Sequence, residues 1–338
     1  MKILIITDAW DPQINGVVNT YKNIIHQLKK QKIDVMVYHP KWLCFANGDP
    51  TNYWKTIKLP FYKEIELMLN PQIYRNYILG RANFGDKIHI ATEGPLGLYA
   101  KRILDEEGFS YTTSFHTKFP DYIQNMFKIP KKLSYRYFKY FHKKSKKILV
   151  PTRSIKDELE NYGFSNMQLW TRGVDSNYFN YKKRGNTEKC VLCVSRASRE
   201  KGLDDFCSLN TSTYKKILIG DGPYLNTLRK KYKDVLFLGK KENYELGEFY
   251  ANADLFVFPS KTDTFGIVLL ESIACGTPLL TYYEPGPKEV IEQGVNGIMT
   301  DNLQKDFNNA ISLDRKKVYE SSKKWTWEKC TSMFLNSL

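Results

Sequence analysis

A chain of 338 residues with 42% hydrophobic residues holds enough apolar material for about two domains with separate cores, which excludes a disordered chain. Its longest apolar runs, such as "ILIIT" and "DLFVFP", are strand-sized and fall well short of the roughly 18 residues that a membrane span needs. The net charge of +15 is lopsided: residues 1–170 carry 26 Lys and Arg against 15 Asp and Glu, and residues 171–338 carry 25 against 21. The first half is therefore expected to face something anionic, whether phosphate, nucleic acid or an acidic bilayer.

The opening "MKILIITDAW" has a short apolar run, then Asp8 and Asp11, and no small-residue cleavage site. It reads as a first strand rather than a signal peptide, so residence in the cytoplasm is expected. Strand-like runs ("KILIIT", "IDVMVYH", "KIHIAT", "YTTSF", "KILVPT") then alternate with helical patterns ("VVNTYKNIIHQLKKQ", "LGLYAKRILDEEG", "DELENYG"), the βαβ rhythm of a doubly wound parallel sheet. In "KIPKKLSYRYFKYFHKKSKKILV", Tyr137, Tyr140, Phe141 and Lys144 fall at helical spacing and read as a core stripe beside a cationic face. After "LWTRGVDSNYF" the rhythm restarts with "KCVLCVS", "KKILIG", "DVLFLG", "DLFVFP" and "TPLLTY". The tail "SSKKWTWEKCTSMFLNSL" is helical, with aromatic anchors suited to packing back on the first unit. The expected organisation is α/β, with one unit over residues 1–170, a second over 171–318 and a returning helix over 319–338. Cys190 and Cys193 form a CxxC with no second pair and no His pair for zinc, so the six cysteines read as free buried thiols.

Open α/β sheets bind ligands where strands end. Neither unit has GxGxxG after its first strand, which argues against a classical dinucleotide site. In "SRASREKG" the cations Arg196 and Lys201 follow the strand "CVLCV" and suit a diphosphate; the alternative is solvated surface charge. In "LIGDGPYLNTL", Gly220 and Gly222 let backbone approach a ligand or simply make a turn. "KTDTFGIVLLESIACGTP" holds Asp263 and Glu271, eight residues apart. On a continuous helix that spacing is about 12 Å, beyond the roughly 5 to 9.5 Å of paired glycosidase carboxylates, so each acid is expected to hold something different. Phe265 and Gly266 are expected to open a helix whose amide groups favour an anion, and Ile267 continues it. Asp263 would hold sugar hydroxyls, or serve as an N-cap, and Glu271 would accept from a ribose diol, or lie on the surface. In the first unit "DPQINGVVNT" places Gly16, and "SFHTKFPDY" places His116 and Asp121, after strands. A lone His and a turn Gly also have purely structural readings.

Taken in order, "INGVVNT", "ATEGPLGLYAKR", "SFHTKFPDY", "VPTRSIKDEL", "TRGVDSNYF", "SRASREKG", "GDGP" and "KTDTFGIVLLESIACGTP" resemble the family 4 retaining glycosyltransferases of the GT-B fold, two Rossmann-like domains facing across a cleft. The likeness is greatest to GDP-mannose-dependent α-mannosyltransferases and sulfoquinovosyl-diacylglycerol synthases, and it spans about residues 3–300. The family signature is two Glu separated by seven residues; here Asp263 fills the first place and Glu271 the second. The resemblance implies that Arg196 and Lys201 grip the donor diphosphate, Glu271 the ribose, and Asp263 with the Phe265 to Ile267 backbone the donor sugar. Gly220 and Gly222 would line the donor side, and Gly16 and His116 would complete it from the first domain. Glu93 and Asp121 are assigned to the acceptor side.

These readings imply a hexosyl transfer from a nucleotide sugar, GDP-mannose favoured, to a glycan or lipid-linked acceptor. The chain has no Asp-x-Asp motif, so no metal or other cofactor is expected and the two cations take the metal's role. A peripheral position on the anionic inner leaflet follows from the +11 first half and the aromatic-rich stretch 59–84. The rivals are a GT-B sugar-nucleotide epimerase and a basic nucleic-acid binder. The second is disfavoured because no groove-reading or base-stacking motif is present.

Overall fold

The computed structural model describes residues 1–338 apart from 12, 14, 42–55, 60–61, 117–119, 121–123, 125–127, 183–184 and 186–187, and only the backbone of 56–59 and 62–67. The chain divides into two compact units, Met1–Thr171 with Trp327–Leu338, and Arg172–Thr326.

The first unit contains strands β1 (Lys2–Ile6), β2 (Asp34–Tyr38), β3 (Thr56–Leu59), β4 (Tyr62–Met68), β5 (Lys87–Ile90), β6 (Thr112–Ser114), β7 (Ile148–Val150) and β8 (Met167–Leu169). Six of them form a sheet in the order β2-β1-β5-β6-β7-β8, and β3 and β4 pair separately. All five pairings of the six-stranded sheet are parallel. A parallel strand is buried on both faces, which is why "ILII" reads as an unbroken apolar run. Ile3 and Ile5 face the helix Gly16–Lys30 and the C-terminal helix Trp327–Leu335 through Tyr21, Ile24, Trp327 and Phe334. Leu4 and Ile6 face the opposite core with Tyr74, Leu96 and Ala100. Trp170 fastens the returning helix: its Nε1 donates to the Cys330 carbonyl at 3.0 Å, and its ring lies 5.4 Å from that of Phe334.

The second unit contains β9 (Cys190–Val194), β10 (Lys215–Ile219), β11 (Val235–Gly239), β12 (Leu255–Phe258), β13 (Leu279–Thr281) and β14 (Gly297–Met299). Their order is β11-β10-β9-β12-β13-β14, the 3-2-1-4-5-6 sequence of a Rossmann sheet. Val191 and Cys193 enter the core with Leu203 and Phe206. Cys190, Leu192 and Val194 enter the one with Leu269, Leu270 and Ile273. The CxxC is thus a strand segment pointing into two cores, and the five described cysteines are free and buried.

One helix departs from its expected phase. On Lys131–His142, Tyr135, Phe138 and Phe141 are buried, whereas Tyr137 and Tyr140 are 38% and 48% exposed. Of the stripe read from the sequence, only Phe141 reaches the core. Aromatic residues populate both faces of this helix, so periodicity alone leaves its phase open. Packing decides: Tyr135 and Phe138 meet Phe115, Ile148 and Phe164. Leu133, Tyr137 and Tyr140 form an outward stripe among lysines. No helix among the described residues is long and apolar enough to cross a membrane.

Candidate active site

In the second unit the strand order reverses between β9 and β12, so the loops leaving these neighbouring strands diverge and leave a crevice. Topology alone brings "SRASREKG" and "KTDTFG" together. Lys201 Nζ lies 2.6 Å from Asp263 Oδ1, with both side chains largely shielded at 12% and 25% exposure. Asp263 is therefore not the N-cap of the following helix, which runs Ile267–Ala274 and is capped by Gly266. The helix begins two residues later than the sequence suggested, leaving Phe265 outside it and Gly266 as its cap. Arg196 Nη2 donates to Glu200 Oε1 at 2.7 Å, and Ser198 Oγ donates to the same oxygen at 2.6 Å. Burial alone would raise the Glu200 carboxyl, but the bonds from Ser198 and Arg196 outweigh it and hold Glu200 below its ordinary range. Each diphosphate candidate cation is thus held by a carboxylate.

Glycines bring these loops close. Gly202 adopts φ +61°, and a Cβ there would lie 2.6 Å from the Pro259 carbonyl oxygen, so β9's loop can touch the end of β12 only with glycine at this place. Gly220 is the sharper case: at φ +140°, its missing Cβ would fall 1.8 Å from the Ser195 carbonyl oxygen. Across the same contact Ala197 N donates to Asp221 O and Tyr224 N to Ala197 O, both at 2.9 Å. The Cβ directions of Gly220 and Gly222 are filled by the neighbouring loop, so loop-on-loop packing by itself demands both glycines.

Glu271 lies on the helix after this loop, partly buried. Burial pushes its carboxyl up to about 7, against a hydrogen bond from Tyr250 at 3.0 Å that stabilises the charged form. This acid is not on the solvated surface. Phe265 is buried, packing edge-on against Trp325 at 5.8 Å with the Arg172 guanidinium 5.9 Å from its ring centre.

In the first unit the order reverses between β1 and β5. Asp8, just past β1, accepts from Leu96 N at 2.9 Å, Gly97 N at 3.2 Å and Thr92 Oγ1 at 2.9 Å, capping the helix Pro95–Glu106 from a distant part of the chain. Burial raises the Asp8 carboxyl despite these donors. Gly94 must be glycine, because a Cβ would come within 2.4 Å of that carboxyl carbon. Gly16 differs: it starts a helix capped by Asn15, and no atom of the described residues lies within 4 Å of where its Cβ would be. Packing among the described residues does not demand glycine at Gly16, as it does at Gly220.

His116 follows β6, and its Nε2 lies 2.9 Å from Ser114 Oγ and 3.0 Å from the Tyr21 hydroxyl. Glu93 is buried, with Oε1 3.3 Å from His142 Nε2, and its carbonyl accepts from Tyr137. Despite that approach, neither Glu93 Oε1 nor His142 Nε2 has a hydrogen-bond partner among the described residues. Asp121 lies outside the described residues. Sequence reasoning singled out neither Glu200, Tyr250, Asp8 nor Tyr21. Glu200 alone carried a local signal, four residues after Arg196; the others meet their partners only through the fold.

A family model described as glycosyl transferases group 1 matches residues 174–322, and one described as glycosyltransferase family 4 matches residues 14–178. Among similar proteins, a GDP-mannose-dependent alpha-mannosyltransferase of Corynebacterium glutamicum is 27% identical over 96% of this chain and 82% of its own. An alpha-monoglucosyldiacylglycerol synthase of Streptococcus pneumoniae is 25% identical over 88% of this chain and 75% of its own. The solved structure of Anabaena HepE in complex with UDP-glucose aligns over 100% of both chains with a TM-score of 0.70 at 15% identity.

Proposed function

The chain belongs to glycosyltransferase family 4, with the two Rossmann-like units of the GT-B fold, and we propose that it is a retaining hexosyltransferase working without a metal. The donor is a nucleotide diphosphate sugar, GDP-mannose by preference, and the acceptor is a glycan or a lipid-linked sugar. The observation that carries this reading is the Lys201–Asp263 pair at 2.6 Å, which sets a cation for phosphate and an acid for hydroxyls at the switch point of one sheet.

Breaking a glycosyl–phosphate bond builds positive charge at the anomeric carbon and negative charge on the leaving diphosphate. Oriented cations at the diphosphate lower that barrier, the role given to Arg196 and Lys201. Lys201 stays beside Asp263 as the donor arrives, so the acid keeps a compensating charge while it accepts from a sugar hydroxyl. The Gly266 and Ile267 amides at the start of the helix add hydrogen-bond donors. Glu271 takes the ribose diol. Gly16 and His116 are the first unit's candidates for the donor, as the resemblance assigns them. Retention follows from attack on the face that the diphosphate leaves, with a phosphate oxygen taking the acceptor proton.

Peripheral attachment to an anionic cytoplasmic leaflet is part of the proposal. Between residues 128 and 147 there are nine Lys and Arg and no Asp or Glu, and Leu133, Tyr137 and Tyr140 are exposed on that helix. Apolar side chains among cations suit the interface of an acidic bilayer. A panel of nucleotide sugars scored by thermal stabilisation tests the donor assignment: a true donor at 100 times its dissociation constant adds about 2.7 kcal/mol. No stabilisation by any member removes it.

A further inference from the structure

Glu271 owes its setting to two helices of the second unit. Tyr250, on the helix Asn243–Asn252, is fully buried. It reaches across to the helix Ile267–Ala274, where its hydroxyl donates to Glu271 Oε2 at 3.0 Å. Glu271 is partly exposed, so the bond arrives from the interior while the acid keeps a side towards solvent. Burial, and then the charge of the acid itself, raise the Tyr250 phenol well above its ordinary range, so the hydroxyl keeps its proton and has it to give.

Both ends of this bond are held. The Tyr250 ring lies 5.3 Å from that of Phe256 in β12 and 5.9 Å from that of Phe179, and the Tyr250 carbonyl accepts from Thr277 Oγ1 at 2.5 Å. Arg315 clasps the same helix end through the Ala253 and Ala251 carbonyls at 2.5 and 2.7 Å. On the other side Ser272, next to Glu271, donates from Oγ to the Thr277 carbonyl at 2.9 Å and accepts from Thr277 N at 3.0 Å. Thr277 thus ties together the two helices that carry Tyr250 and Glu271, and the fold sets the gap between hydroxyl and carboxylate. A carboxylate offers two oxygens; Tyr250 takes Oε2, and among the described residues no hydrogen bond is made to Oε1. An acid left to rotate must be ordered by its ligand, whereas one fixed beforehand spares the ligand that cost.

We infer that Tyr250 is a positioning residue for the donor nucleotide, fixing the Glu271 carboxylate through Oε2 so that Oε1 reads the ribose diol and the site favours ribonucleotides over their deoxy counterparts. The inference rests on the proposed place of Glu271 at the ribose. Tyr250 acts through the carboxylate and touches no substrate. Its hydroxyl also opposes the burial that lifts the Glu271 carboxyl to about 7. Without it the acid holds its proton more tightly and accepts less well.

Calorimetric titration of the full chain with GDP or UDP, whichever the parent binds, and with its 2′,3′-dideoxy counterpart reads the inference without turnover. The parent should bind the ribonucleotide about a hundredfold more tightly, the scale of hydrogen bonds to a charged acceptor. Tyr250→Phe keeps the ring and its packing. It should lower ribonucleotide affinity about tenfold and leave dideoxy binding as in the parent, with donor KM raised and kcat nearly unchanged. A merely structural tyrosine would weaken both nucleotides alike. Tyr250→Phe added to Glu271→Ala should cost ribonucleotide binding nothing more, because residues acting as a unit are non-additive. The inference alone is overturned when Glu271→Ala loses the preference for ribose but Tyr250→Phe keeps it, when Tyr250→Phe weakens both nucleotides equally, or when losses multiply in the double variant. A parent that binds neither nucleotide or does not distinguish the dideoxy form, or a Glu271→Ala variant that keeps the parent's preference, overturns the ribose reading itself and the inference with it.

Discussion

Replacing Glu271 by Gln should make the ligand-free protein more stable at pH 8 while weakening its hold on the nucleotide. The helix Ile267–Ala274 places this acid where burial lifts its carboxyl from 4.5 to about 7. A carboxyl raised on folding keeps a proton that the unfolded chain has lost. Its stability contribution is therefore fully present below about pH 4.5 and is lost as pH rises through about 7. Above pH 7 the loss levels off at about 3 kcal/mol. Glutamine carries no charge, and its carbonyl can still accept from Tyr250. Urea unfolding of parent and variant at pH 5 and pH 8 reads the difference. The variant should be close to the parent at pH 5 and up to about 3 kcal/mol more stable at pH 8. In the same samples, nucleoside diphosphate affinity should fall by about one to two orders of magnitude, the cost of losing hydrogen bonds to a charged acceptor. A stability difference that does not vary with pH, or a variant that keeps full nucleotide affinity, would refute the reasoning.

Arg196→Ala and Lys201→Ala should each lower turnover by roughly two to three orders of magnitude, the scale of losing one oriented transition-state donor, with melting temperatures near the parent's. Wild-type turnover in both variants takes them out of the mechanism. Asp263→Asn should damage sugar transfer more than nucleoside diphosphate binding, because it replaces the sugar's charged acceptor with a neutral amide and leaves Lys201 without its carboxylate at 2.6 Å; calorimetry showing equal losses reverses the assignment. The chain should co-sediment with vesicles containing anionic lipid, weaken towards about 0.5 M salt and ignore neutral vesicles. Replacing Lys132, Arg136 and Lys139 with Gln should reduce that binding, whereas equal partition into both vesicle types contradicts the membrane proposal.

The parts of this fold legible in the sequence are those written locally. The runs "KILIIT" and "CVLCV" announce buried parallel strands, and residues just after such strands, Arg196, Lys201 and Asp263 among them, fall at sheet ends whatever the remaining topology. The pairing of Lys201 with Asp263 needed the knowledge that β9 and β12 are neighbours, which no local pattern supplies. Asp8 is the same case at greater range: its partners Leu96 and Gly97 follow 88 and 89 residues later, and nothing local to Gly94 announces the carboxyl packed against it. The helix Lys131–His142 failed differently, since aromatics on both faces make two phases equally amphipathic. For Gly220 and Gly222, a need for close approach was legible, but a sequence cannot tell a ligand from the chain's own backbone.

The account turns on whether the second unit's loops activate a nucleotide sugar for transfer with retention. The most direct measurement is NMR of the product formed from GDP-mannose and a lipid-linked or glycan acceptor, run with and without chelator, using the parent and Lys201→Ala. The account predicts an α-linked hexose, unchanged by chelator and lost with Lys201. A β-linked product, a rate abolished by chelator, or undiminished transfer by Lys201→Ala would contradict it.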